Sequence, residues 1–162
     1  MKLKDYVSDQ RARILLIRYA SPVLKSDIFH KAMKQVHHGH TTVGIHSLKV
    51  AEMALKLGLL VNVFIPINLK SLTIGALCHD LGIVGRYSKY KNNLECCFKH
   101  PLDSVKVTGK IFPDLDKKTK RILKSHMFPQ GIHIPTSIEG YLVVISDKYI
   151  SAAMAMESKK KS

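Results

Sequence analysis

Leu69-Lys70-Ser71-Leu72-Thr73-Ile74-Gly75-Ala76-Leu77-Cys78-His79-Asp80-Leu81-Gly82 is the stretch on which the fold turns. Its spacing predicts a helix over 69–80, and its nearly unbroken apolar character places that helix in the core. Gly82 and Gly85 predict a turn immediately after it. A core helix that ends on His79-Asp80 poses a physical problem, because a buried imidazole beside a buried carboxylate is costly unless something partners both.

The same conflict recurs outward along the chain. At helical spacing His46 lies over Val43 and Val50, His126 over Ile122 and Leu123, and Asp147 over Val143, Val144 and Met154, while Asp80 itself lies over Ala76, Leu77 and Val84. These four side chains point to core faces rather than to solvent. His100, before Pro101, adds a further imidazole beside an apolar stretch. A single histidine on an apolar stripe is ordinarily a satisfied core residue, and a single buried aspartate ordinarily has an arginine or a backbone partner. Several of these coinciding in one chain, two of them adjacent, defeat that explanation; a shared metal centre answers the cost for all six. Four imidazoles and two carboxylates suit a divalent transition metal and exceed what one four-coordinate ion requires, whereas two ions bridged by one carboxylate would use the full set.

The rest of the chain reads as helix nearly throughout, giving an all-α expectation: a single-domain helical bundle with the metal centre in a core cleft. Helices are expected from about Leu3 to Tyr19, stopped near Ser21-Pro22, and from Ser26 to about His37, with a break at His38-Gly39-His40. Thr41 or Thr42 caps the His46 helix, which ends at Gly58. Val61 to Pro66 reads as loop, and Arg86 to Phe98 as loop or broken helix. A helix begins at His100-Pro101, with proline in its first turn, and ends at Phe112-Pro113. Leu115 to His126 is amphipathic. A Thr136-x-x-Glu139 capping box opens a last helix through about Met154. Within the one domain, 1–162, the reading assigns 1–37 to N-terminal helices, 38–154 to the helical core that carries the metal ligands, and 155–162 to a basic tail.

With 162 residues, the chain closes a core without disulfides. Its three cysteines, Cys78 and the adjacent Cys96 and Cys97, form neither a secreted framework nor a C-x-x-C metal motif. The N-terminus lacks a following apolar region, and no window approaches a membrane span, so the expected setting is cytoplasmic, away from membranes. Lys plus Arg number 26 against 12 acids, a formal charge of +14, which steers polyanions toward the chain. The cations are scattered rather than gathered on one helix face with aromatics, so the charge points to phosphate-bearing partners without saying which, a solvated surface is its commoner meaning, and nucleic acid is not favoured.

The order His46, His79-Asp80, Asp147 resembles the HD-domain metal-dependent phosphohydrolases, and His100 and His126 between them match the subset with a dinuclear centre. His79-Asp80-Leu81-Gly82 is similar to the HDIG signature. His38-Gly39-His40-Thr41-Thr42-Val43 with His46-Ser47, Ser125-His126-Met127-Phe128-Pro129 and Ser146-Asp147-Lys148-Tyr149 look like the opening and closing segments of small uncharacterised bacterial HD proteins. Ile83 stands where a lysine often follows the HDIG glycine, and the GYP segment of cyclic-di-GMP phosphodiesterases is missing.

The resemblance implies that His46, His79, Asp80 and Asp147 hold one ion and that Asp80 bridges to a second held by His100 and His126. The ions would be two divalent transition metals drawn from iron, manganese, zinc, cobalt or nickel. It further implies a phosphohydrolase that cleaves a phosphoester or phosphoanhydride bond through a metal-activated water, with diester or nucleotide substrates favoured over monoesters. Asp80 is the expected catalytic residue. Arg86 and Lys148 are the expected substrate-phosphate clamps. The competing expectation is a basic phosphate- or nucleic-acid-binding regulatory module with a structural or vestigial metal site.

Overall fold

The computed structural model describes residues 7–38 and 41–159, apart from the side chains of His38 and Lys159. The expected helix start at Leu3, the Gly39-His40 part of the break and the last residues of the basic tail lie outside the described residues.

The all-α expectation holds, with one small hairpin added. The elements are α1 (Asp9–Leu24), α2 (Asp27–Ala32), β1 (Val36–His38), β2 (Thr41–Thr42), α3 (Val43–Val61), α4 (Leu69–Cys78), a 3₁₀ turn (Leu81–Ile83), α5 (Arg86–Lys89), α6 (Asn93–Ile111), α7 (Lys117–Ser125) and α8 (Ile138–Lys159). Side-chain oxygens satisfy the first-turn N–H groups that a helix leaves unpaired. Ser8 accepts from Arg11, Ser26 from Phe29, Thr42 from Ile45, Asn68 from Ser71, Asn92 from Glu95 and Asp116 from Thr119.

Helix α4 is the axis. Every residue from Ser71 to Cys78 is buried, and α1, α3, α7 and α8 pack around it. Gly75 permits the approach of α7, since a Cβ there would stand 2.6 Å from Ile122 Cγ2. Gly58 is likewise a packing position rather than a stop, because a Cβ would overlap the Leu72 side chain; α3 therefore runs on to Val61.

Several boundaries differ from the sequence expectation. Helix α1 starts at Asp9 and passes through Pro22 to Leu24, its last turn held by the fully buried Ala20 and Val23. Helix α2 stops at Ala32, and Val36–His38 forms a strand antiparallel to Thr41–Thr42 instead of helix. The His100 helix begins seven residues earlier, at Asn93, with Pro101 inside it. The signal for that start is Asn92-x-x-Glu95: Asn92 caps the Glu95 N–H, and Glu95 accepts from the Lys91 N–H at 2.6 Å. At α8 Ser137, not Thr136, supplies the cap, accepting from the Gly140 N–H, and Glu139 turns instead to the Asn68 N–H and Lys118. Helix α8 continues past Met154 to Lys159.

Candidate metal centre

Five elements each deliver part of one cluster. Helix α4 ends with His79 as its C-cap, and Asp80 follows at φ −104°, ψ 6°, opening the 3₁₀ turn. This turn is bolted to α6. Ser104 Oγ donates to the His79 carbonyl at 2.5 Å and accepts from the Gly82 N–H at 2.9 Å. Gly82 must be glycine for this seat, since a Cβ would run into the His100 carbonyl. His100 sits one turn before Ser104 on α6, His126 caps the end of α7, His46 lies in the first turn of α3, and Asp147 lies mid-way along α8.

All six residues singled out from the sequence for a metal converge and are buried. Asp80 is the hub. Its Oδ2 lies 3.3 Å from His79 Nε2 and 3.7 Å from His46 Nε2, and its Oδ1 lies 3.4 Å from His100 Nε2 and 3.5 Å from His126 Nε2. Asp147 Oδ1 lies 3.0 Å from His46 Nε2 and 3.6 Å from His79 Nε2.

Three of the imidazoles are oriented by their own helices. Nδ1–H of His79 donates to the Ala76 carbonyl at 2.8 Å, that of His100 to Cys96 at 2.7 Å and that of His126 to Leu123 at 2.7 Å. With Nδ1 committed, each neutral ring presents the Nε2 lone pair to the centre, as a metal ligand must. His46 differs: its Nδ1 is buried without a partner.

The cluster is built for positive charge. His79 Nε2 is buried between the Asp80 and Asp147 carboxylates, at 3.3 and 3.6 Å, and His100 Nε2 and His126 Nε2 face each other at 2.9 Å, a contact between two lone pairs unless a proton or cation intervenes. Burial opposes charge on His79, but Asp80 and Asp147 outweigh it and push the imidazole up to about 10. His100 goes up to about 9, burial again being overcome by Asp80 and by the Cys96 carbonyl. His126 goes down, through burial and the neighbouring His100 and His79 charges, and so accepts the proton that His100 donates. Burial alone would raise both carboxyls; His79, His100 and His126 instead hold Asp80, and His46 and His79 hold Asp147, well below the usual carboxylate range. In the metal-free protein protons therefore do the work of cations. Donor identity, inward lone pairs and negative carboxylates all fit divalent metal, and the ligand atoms group as His46, His79 and Asp147 on one side and Asp80, His100 and His126 on the other, each set within 4.8 Å.

The centre opens to a cleft of about 290 Å³, walled in part by Asp80, His100, Asp147, Ile83, Cys96 and Met127. The two expected phosphate clamps, Arg86 and Lys148, both line this cleft. Lys148 donates to Asp147 Oδ2 at 2.9 Å, and Arg86 donates to Asn93 Oδ1.

One neighbour was not foreseen. His37, from β1, brings Nε2 to 3.4 Å from Asp80 Oδ2, with a side chain only 8% exposed. Sequence reading placed it at the end of a helix, where nothing aims it inward; the irregular pairing between Val36 and His38 does.

The profile of the family described as HD domain matches residues 43–152, more than half of the chain and every one of the six clustered residues. The chain belongs to the HD domain family. HD domains are generally metal-dependent phosphohydrolases, and the buried His/Asp groups supply the donors for divalent metal. No curated protein and no solved structure matches the chain significantly. The HD match begins after the hairpin, so His37 lies outside it. Among the described residues, no helix is long and apolar enough to cross a membrane.

Proposed function

We propose that this HD domain is a dinuclear phosphohydrolase that cleaves a phosphodiester or phosphoanhydride bond of a nucleotide or similar small molecule. The observation that carries the reading is the division of Asp80: Oδ2 faces His46 and His79, and Oδ1 faces His100 and His126. A carboxylate with separate donor sets at its two oxygens suits a bridge between two ions.

Residues His46, His79, Asp80 and Asp147 would hold one ion and Asp80, His100 and His126 the other. Such a pair, when bound, lowers the pKa of water toward neutrality and stabilises charge on phosphoryl oxygens. Counting two divalent ions against Asp80 and Asp147, the loaded centre carries about +2, which favours a phosphate-bearing substrate.

The protein's own part is placement. Asp80 fixes the two donor sets against each other from a turn that Ser104 and Gly82 hold rigidly. Lys148, part-buried beside Asp147, and Arg86, steadied by Asn93, are cations at the cleft wall for non-reacting phosphate oxygens. Arg86 is the candidate for a second phosphate, its guanidinium held by Asn93 rather than ion-paired with Asp147 as Lys148 is. Ile83 in the turn and Met127 put apolar surface on the cleft wall beside the centre.

The test is hydrolysis of bis(p-nitrophenyl) phosphate and of a panel of nucleoside diesters, anhydrides and monoesters in manganese, iron, cobalt, nickel and zinc. The reading expects diester or anhydride cleavage that disappears with Asp80→Asn. It is overturned if fully metal-loaded protein cleaves none of these bonds, or if Asp80→Asn stripped of metal turns over as the wild type does.

A further inference from the structure

We propose that His37 is a seventh metal ligand, donated to the HD centre through Nε2 by the β1–β2 hairpin outside the HD match. The inference rests on the metal-centre reading above and adds to it a residue that the family match does not contain.

His37 stands in the same geometry as the other histidines. Their rings form an arc around Asp80: His37 to His46 is 5.1 Å between centroids, His46 to His79 5.3 Å, His79 to His126 5.1 Å and His126 to His100 4.9 Å. All five Nε2 atoms lie at 3.3–3.7 Å from an Asp80 oxygen, His37 at 3.4 Å. The potential ligand atoms of His37, His46 and Asp80 also lie within 4.8 Å of one another. A residue spaced like a ligand candidate, sharing a carboxylate oxygen with two others, has a ligand's position.

The placement is enforced by the fold. The pairing is irregular between Val36 and His38, where the extra residue is His37: Val36 is 56% exposed, whereas the His37 side chain is only 8% exposed. Two residues before His37, Gln35 grips the backbone beyond the His-Asp turn: Nε2 donates to the Ile83 carbonyl at 3.1 Å, and Oε1 accepts from the Gly85 N–H at 2.7 Å. The Gln35 carbonyl accepts from the Val43 N–H at 2.9 Å, which ties the hairpin to the start of the His46 helix. The hairpin is thus pinned to both segments that carry neighbouring donors, with a nearly enclosed imidazole aimed at Asp80 Oδ2. A third imidazole on the Oδ2 side would give that ion the donors His37, His46, His79, Asp80 and Asp147, against Asp80, His100 and His126 for the other. The class of ligand is a divalent ion that accepts three nitrogens and two oxygens, such as cobalt, nickel, iron, manganese or zinc.

The ordinary alternative is that His37 only hydrogen-bonds Asp80, and glutamine separates the two roles, because its amide N–H can replace the Nε2–H of a histidine as a donor but not its lone pair as a ligand. Wild type, His37→Ala and His37→Gln are titrated with Co²⁺ by calorimetry and visible absorption, after matching metal-free melting temperatures. Both variants are expected to lose more than about tenfold in affinity at the tighter site and to show altered cobalt bands. His37→Gly should regain the wild-type bands when free imidazole is added. Wild-type affinity and bands in His37→Gln overturn the inference and leave the metal centre standing. Wild-type protein that binds no Co²⁺ overturns both.

Discussion

The two oxygens of Asp80 face unequal surroundings. Oδ2 looks toward His46 and His79, both wholly buried and both shared with Asp147, with His37 alongside. Oδ1 looks toward His100 and His126, and the cleft wall takes His100 from this side and His37 and Asp147 from the other. One side is richer in protein donors than the other, and on the proposed dinuclear reading the side with fewer would leave more positions for water and substrate. The difference then teaches which ion the protein would hold more tightly.

The comparison is broken most severely at its hub. Asp80→Ala removes a donor from both sides, and metal content is expected to fall from about two ions per chain to below one, with activity down by at least about 10³-fold. Elemental analysis and steady-state hydrolysis check this together. Next come the two sides separately. His126→Ala should release only the ion with fewer protein donors, leaving about one per chain and activity lowered by about 10²-fold, whereas His46→Ala, which strips a donor shared by Asp80 and Asp147, should loosen the other ion first. Equal losses from both variants would erase the distinction between the sides.

A pH series sharpens it. His79 on the Oδ2 side is pushed up to about 10 and His100 on the Oδ1 side up to about 9. Both hold protons at neutral pH in the metal-free protein, and an entering ion must displace them. Affinity should therefore rise with pH until it passes those values, and metal addition at pH 7 should release about two protons per filled centre. Calorimetry in buffers of different ionisation enthalpy counts them; no release would contradict the assignment of protons as stand-ins for cations.

At the rim, Arg86→Ala is expected to raise KM about tenfold, about 1.4 kcal/mol, with metal content unchanged. The smallest effect lies away from the centre. Glu139 is buried, which would raise its carboxyl, but Lys118 at 2.8 Å and the Asn68 N–H hold it below its ordinary 4.5. A depressed carboxyl stabilises the fold above its unfolded value and loses that stabilisation as pH falls through the folded value. Glu139→Gln should cost about 1 kcal/mol near neutrality, with the gap to wild type closing below pH 4.5, as followed by urea unfolding.

The centre was readable from sequence because its chemistry contradicts its setting. Histidine and aspartate at the ends and on the core faces of apolar helices announce a partner, and all six such residues meet at one point. His37 escaped for the opposite reason. It sits in a polar stretch of two short strands, where no apolar periodicity marks an inward face, and its direction depends on the tertiary grip of Gln35 on Ile83 and Gly85. Helices were readable in number and order better than in their limits. Pro22 and Pro101 both lie inside helices, against the local rule, because buried contacts beyond each proline outweigh the lost hydrogen bond. The Asn92-x-x-Glu95 start was present in the sequence, but the proline at 101 drew the expected start to His100.

The central claim is two ions joined by Asp80. Elemental analysis of tag-free protein, purified anaerobically without chelator, tests it most directly. About two transition-metal ions per chain is the predicted result, and no bound metal even after reconstitution would contradict it.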